Sequence, residues 1–202
     1  FTEREKMNKK RLIILISSSE AGGAQVYILN LARHLKELYS IVVVCPNGYL
    51  SERLEEIDIE LLKSEINISK IEFIYSYLLN QQKQYGNIIV NSHLLGTTLW
   101  TALAMLPMKS YRLVATLHQP IIYDRISYIK RLTFPLITKF LSSRVDEFIS
   151  VSKEIANSIF EYTERSSKYI PNSVPDIENK KKCEEAFADG NIKIGIIGRL
   201  VH

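Results

Sequence analysis

Leu12-Ile13-Ile14-Leu15-Ile16-Ser17-Ser18-Ser19-Glu20-Ala21-Gly22-Gly23-Ala24 decides the fold class of this chain. The apolar run from Leu12 to Ile16 has no alternation, as expected of a strand whose two faces are both covered. The apolar positions that follow, Ala24, Ile28, Leu31, Leu35 and Leu38, recur at intervals of three and four, the period of a helix. Two glycines therefore stand where a strand feeds a helix N-terminus. Backbone N–H groups there lack intrahelical partners and the helix dipole is positive, so an anion or a hydroxyl can approach closely. The alternative reading of Gly22-Gly23 is only a tight strand-to-helix turn.

Two phosphate motifs are excluded at this position. No Gly-x-Gly-x-x-Gly follows the strand, and no Lys-Ser/Thr closes the loop. The second strand, Ile41 to Cys45, runs straight into Pro46-Asn47-Gly48 and offers no acidic residue for a ribose.

Working outward, strand and helix signals keep alternating. Strands are expected at Ile41–Cys45, Ile59–Leu62, Ile88–Asn91, Leu113–Leu117, Glu147–Val151 and Lys168–Ile170. Helices are expected at Ser51–Ile57, Ile71–Gln84, Thr97–Leu106, Arg125–Ser142 with a break or kink at Pro135, and Lys153–Tyr162. This order implies an α/β fold, a Rossmann-like doubly wound parallel sheet with helices on both faces and ligands beyond the carboxyl ends of the strands. After Pro171 the composition changes. Residues 172–190 read as a charged linker containing Lys180, Lys181 and Lys182, and 191–202 as the first strand of a second sheet. Residues 1–6 read as an expression remnant ahead of Met7.

The 202 residues are 46% hydrophobic and 24% charged, an ordinary globular balance. The formal charge of +4 is too small to indicate nucleic acid. Lys9, Lys10 and Arg11 read as a basic lead-in to the first strand, because the apolar run behind them is too short for a signal core or a membrane span. Cys45 and Cys183 are too far apart to suggest a metal cluster or a disulfide framework, which fits a reducing compartment. Asn67-Ile68-Ser69 matches a glycosylation sequon by chance. Asp58-Ile59-Glu60 reads as a strand-edge pair with no third ligand for a metal. No nucleophile elbow supports hydrolase chemistry.

Five islands in order resemble the retaining GT-B glycosyltransferases of family 4: Gly22-Gly23-Ala24-Gln25, Asn91-Ser92-His93, Ala115-Thr116-Leu117-His118, Ser150-Val151-Ser152, and Ile170-Pro171-Asn172 followed by Gly198-Arg199-Leu200. Gln25 stands where the family often has Glu, and Ser173 where it often has Gly. The resemblance implies that residues 7–171 form an acceptor-side domain, the N-terminal half of a GT-B enzyme, and that 191–202 begin a donor-binding domain. It implies a nucleotide sugar as donor substrate, a glycan or lipid-linked acceptor, and no cofactor or metal. The lysine after Gly-Arg-Leu and the distal Glu-x7-Glu motif are missing, so this stretch alone is expected to be inactive.

The resemblance also carries roles. Gly22 and Gly23 lie near the donor diphosphate, and Arg199 reaches a phosphate with its planar fork. His118, the candidate catalytic residue, orients the reacting sugar and is not a nucleophile. Gln25, His93 and Asn172 are acceptor or cleft residues, and Ser152 is first of all a helix cap. His34 reads as a surface residue. Ile129, Leu132, Leu136 and Phe140 read as a core-facing stripe, with membrane contact through Lys130, Arg131 and Lys139 as the alternative. A cytoplasmic protein, at times peripheral to the membrane, is expected. Two other readings stay open. A sugar-nucleotide epimerase needs acid–base residues that are not identified here, and a non-catalytic glycan-binding module needs only the cleft.

Overall fold

A computed structural model of the chain describes residues 9–109, 111–121 and 128–172, the side chains of 128–132 excepted. All of them lie in the first of the two units into which the chain divides, Phe1–Asn172. Seven strands form one parallel sheet: β1 (Lys10–Ile16), β2 (Tyr39–Cys45), β3 (Glu60–Lys63), β4 (Ile88–His93), β5 (Tyr111–Leu117), β6 (Glu147–Ser150) and β7 (Ser167–Tyr169). Between them run α1 (Gly23–Leu35), α2 (Tyr49–Glu55), α3 (Ile71–Tyr85), α4 (Leu95–Ala104), α5 (Tyr128–Arg144) and α6 (Lys153–Thr163). The spatial order is β3-β2-β1-β4-β5-β6-β7. The chain builds outward from β1 to one edge, then returns to lay β4 on the other side of β1, which makes the β1–β4 border the switch point.

Burial on both faces accounts for the unbroken apolar strands. Leu12, Ile14 and Ile16 of β1 pack with Ile28, Leu29 and Ala32 of α1 and with Leu50 and Leu54 of α2. Ile13 and Leu15 point the other way, into a core shared with α3, α4, α5 and α6. Two turns demand glycine. Gly48, which opens α2, has φ +142°, and Gly86, which ends α3, has φ +74°. Ser19 pins the loops after β1 and β2 together: its Oγ accepts from the Ser51 N–H at 3.2 Å and its carbonyl from the Leu50 N–H at 3.0 Å. Ser152 caps α6, its Oγ accepting from the Ile155 N–H at 3.2 Å. Asn67 caps a short 3₁₀ turn at Ile68–Lys70 in the same way.

Two expectations are corrected. α1 stops at Leu35, and Leu38 is 67% exposed in the turn that swings the chain into β2, so it leaves the apolar stripe. α5 runs through Pro135 without ending, and the buried stripe falls on Phe134, Thr138, Leu141 and Val145; Leu136 is 70% exposed. The spacing of three and four is as expected and Phe140 packs against the core, but Leu136 turns outward, and the inward Thr138 hydroxyl is satisfied by the Pro135 carbonyl at 3.1 Å. Ile129 and Leu132 fall outside the described side chains. No helix among the described residues is long and apolar enough to cross a membrane.

Arg11 lies at the start of β1, as a basic lead-in to that strand should, and it is 1% exposed, buried at the amino-terminal end of the sheet. Its guanidinium makes a bidentate pair with Glu60 at 2.6 and 2.8 Å, donates to Ser40 at 2.9 Å and Gln81 at 2.7 Å, and lies 4.6 Å from the Tyr85 ring centroid. Burial opposes its charge, yet the hydrogen bonds and charge of Glu60 outweigh that and raise its pKa. β1, β2, β3 and α3 are thus tied at one point. Glu60→Ala leaves a buried cation short of acceptors and is expected to cost about 2–3 kcal/mol in urea unfolding. Loss of the exposed Arg53–Glu56 pair is expected to matter far less. Equal small effects from the two changes would contradict this role of Arg11.

Candidate functional site

The site is set by where three strands end. Register places Ile16 of β1 beside His93 of β4, and His93 beside Thr116 of β5, so the residues leaving β1, β4 and β5 emerge together. Buried hydroxyl and amide groups lock this edge. Thr116 Oγ1 donates to Asn91 Oδ1 at 3.0 Å, Ser92 Oγ to Thr98 Oγ1 at 2.9 Å, and Thr97 Oγ1 both accepts from the Ser17 N–H at 3.1 Å and bonds Ser17 Oγ at 2.9 Å. Leu94, between β4 and α4, has φ +74° and ψ +147°, a strained conformation for a branched residue. Its N–H donates to the Thr116 carbonyl at 3.2 Å, which holds the turn against β5.

Two histidines meet at this edge. Nδ1 of His93 lies 2.9 Å from Nε2 of His118, and the rings stack with centroids 5.2 Å apart and planes 17° apart. Tyr27, one turn into α1 from Gly23, packs edge-on against His118 at 5.1 Å and is tilted over His93 at 5.8 Å. His93 is fully buried and, among the described residues, its Nε2 has no hydrogen-bond partner. Burial pushes the His118 pKa down to about 4. His93 is driven well below its ordinary value, first by burial and then by His118 beside it. Burial also raises the Tyr27 hydroxyl pKa, so all three groups are neutral near pH 7. A neutral His118 can orient a hydroxyl by hydrogen bonding, and it is no cation.

Gly22 is the N-cap of α1, with extended backbone and no side-chain cap. A Cβ there would come within 2.9 Å of Gln25 Oε1, whereas one on Gly23 would meet nothing within 4 Å. Open space thus lies over an uncapped helix N-terminus, one helical turn from the residue that touches both histidines. Gln25 is buried and its Nε2 donates to the Ser18 carbonyl at 3.1 Å, bracing the loop. Asn172 is exposed beyond the carboxyl end of β7, which β6 separates from β5. Gly198, Arg199 and Leu200 lie outside the described residues, as do Cys183 and the expected strand in 191–202. His34 is exposed. Among the described residues no group of three His, Cys, Asp or Glu is placed to hold a metal. Glu60 opens the edge strand β3, as an edge pair should, and is engaged by Arg11.

Sequence reasoning missed Tyr27, Ser17 and Thr97. For Tyr27 a signal existed: it stands four residues after Gly23, on the same helical face. A separate cavity of about 220 Å³ opens at the opposite end of the sheet, lined by Lys9, Lys36, Tyr39, Asp58 and Glu60 among others.

A family model described as Glycosyltransferase Family 4 matches residues 21–176. No curated protein matches the chain. Among solved structures the fold is similar to that of Anabaena Alr3699/HepE in complex with UDP-glucose, with TM-score 0.65 and 15% identity over 81% of this chain and 44% of that one. It is also similar to a glycosyltransferase from Rickettsia africae ESF-5, with TM-score 0.58 and 19% identity over 92% and 47%. For Acinetobacter baumannii MurG the values are 0.55 and 12% over 80% and 45%. At these identities the likeness shows the fold, and the chain spans less than half the length of each of these structures.

The histidine pair makes stability depend on pH. Both rings are neutral in the fold and bind protons in the unfolded chain below the ordinary value of 6.5. Stability is therefore full above that value and falls as pH drops through it towards about 4, by up to ~1.4 kcal/mol per pH unit for each proton taken up. Urea unfolding across this window is expected to show a slope that His118→Phe reduces. An unchanged slope would contradict the burial of neutral histidines.

Proposed function

The chain belongs to Glycosyltransferase Family 4, and on that premise we propose that it is the acceptor-side domain of an enzyme moving a sugar from a nucleotide-sugar donor to a glycan or lipid-linked acceptor with retention. The observation that carries this reading is the open, uncapped N-terminus of α1 beside a neutral His118 at the switch point of the sheet. As the glycosidic bond to the nucleotide breaks, negative charge grows on the departing diphosphate. The N–H groups around Gly22 and Gly23 are suited to meet it, since oriented dipoles need no rearrangement at that moment. His118 hydrogen-bonds the donor sugar and holds its anomeric carbon towards the acceptor hydroxyl. Gln25 shapes the loop wall, and His93 and Asn172 serve the cleft.

In this reading residues 172–190 link to a donor-binding domain that begins at 191–202, and Arg199 is a diphosphate-binding residue. The crystallised relative with UDP-glucose supports UDP-glucose as a first donor to try. The reaction runs at the cytoplasmic face of a membrane when the acceptor is lipid-linked, in the assembly of surface polysaccharide, with the basic residues of α5 making a peripheral contact. It calls on no cofactor. This stretch by itself binds donor weakly and transfers nothing, because the groups that grip the nucleotide belong to the second domain.

Titration of the chain with UDP-glucose, followed by backbone amide NMR, is expected to shift Gly22, Gly23, Tyr27 and His118 without release of free UDP. Shifts confined to the cavity at Lys36, Tyr39 and Asp58 would sink the site assignment, and steady turnover would sink the claim of inactivity.

A further inference from the structure

One proton lies in the 2.9 Å contact between Nδ1 of His93 and Nε2 of His118, and two arrangements of it are open to a neutral pair. If Nε2–H of His118 donates, Nδ1 of His93 is the acceptor and His93 carries its own proton on Nε2. That atom is enclosed and has no partner, so this arrangement strands a buried N–H. If Nδ1–H of His93 donates, the enclosed atom is a bare ring nitrogen, and no donor is stranded. Orphaned buried N–H groups are among the rarest defects in folded proteins, which decides between the two.

We infer that His93 is a positioning residue: its Nδ1–H donates to Nε2 of His118 and fixes His118 as the Nδ1–H tautomer, presenting a defined N–H donor to a ligand oxygen. The enclosed polar atoms without a partner among the described residues include His93 Nε2 but not His118 Nδ1, and His118 is only partly buried. Its outer nitrogen is the one left for a ligand. The clamp on His93 is rigid. Asn91 is bonded to Thr116, and the strained Leu94 turn is bonded to the Thr116 carbonyl, two residues before His118. Tyr27 is the other titratable group against the pair, and its packing keeps both rings from swinging. A sugar hydroxyl oxygen held by a fixed N–H has its own proton directed away, which sets the orientation of the ring that bears it. That consequence rests on the donor-side role proposed for His118; the tautomer does not.

Long-range ¹H–¹⁵N correlation spectra of the histidine rings in the chain at neutral pH test the inference directly. His118 is expected to carry its proton on Nδ1, and a proton on Nε2 would overturn it. His93→Asn, whose side-chain N–H can stand where Nδ1–H stood, is expected to keep that signature, and His93→Leu to release His118 to the Nε2–H form that free imidazole prefers. Retention of the Nδ1–H signature in His93→Leu, with the fold verified by circular dichroism, would show that His93 does not set it. If the leucine variant does not fold, the unsubstituted spectrum still decides. Adding UDP-glucose separates the two claims. A Nδ1–H signature with no response of His118 to UDP-glucose supports the lock and counts against the donor-side role; a response from a Nε2–H ring does the reverse.

Discussion

Parallel pairing on both sides of β1 is the constraint from which the rest of the molecule follows. A parallel pair cannot be closed by a tight turn, so each junction requires a crossover, and the crossovers cover both faces with helices. β1 is consequently buried from Arg11 to Ile16 on both faces. With β2 on one side and β4 on the other, the connections leaving β1 and β4 diverge to opposite faces: α1 packs in one core cluster and α4 in the other. The carboxyl ends of β1, β4 and β5 emerge between them, and Tyr27, His93 and His118 gather there.

The two ends of the sheet answer different demands. At the amino end, Arg11 has acceptors in Glu60, Ser40 and Gln81 and a ring beneath it, a fully partnered buried charge that ties four elements together. At the carboxyl end, Asn91, Ser92, Thr97 and Thr116 are likewise paired, but His93 keeps an enclosed nitrogen without a partner and Leu94 holds a strained backbone. One enclosed, unpartnered nitrogen and one strained turn thus fall where a ligand is proposed to act, though Thr101 Oγ1 and Arg144 Nε are also unpartnered among the described residues and Asp58 and Glu164 also have positive φ.

The fold was legible in the sequence because unbroken branched runs and three-four spacing are local signals. The core of every strand from Leu12 to Lys168 lay where those runs placed it, and differences were confined to ends, such as β4 extending through Ser92 to His93. The burial of Arg11 was not legible because it depends on Glu60 and Gln81, distant in the chain and brought in by β3 and α3. Leu136 of the α5 stripe was misplaced because periodicity gives the spacing of a helix face, and the packing of neighbours chooses which residues are turned inward. His93 and His118 were each singled out as strand-end residues. Their contact was not legible, since it depends on the β4–β5 register; the spacing from Gly23 puts Tyr27 on the right helical face, but its contact with the pair appears only when α1 is laid over it.

Glycosyltransferase Family 4 membership and a histidine pair at the switch point converge on one claim: a donor sugar sits between the α1 N-terminus and His118. A crystal structure of the chain grown in saturating UDP-glucose tests it most directly. The account predicts density for the glucosyl group within hydrogen-bonding distance of His118 Nδ1, with its diphosphate over the amides of Gly22 and Gly23. A ligand bound elsewhere on the sheet, with Gly23 and His118 uncontacted, would contradict it.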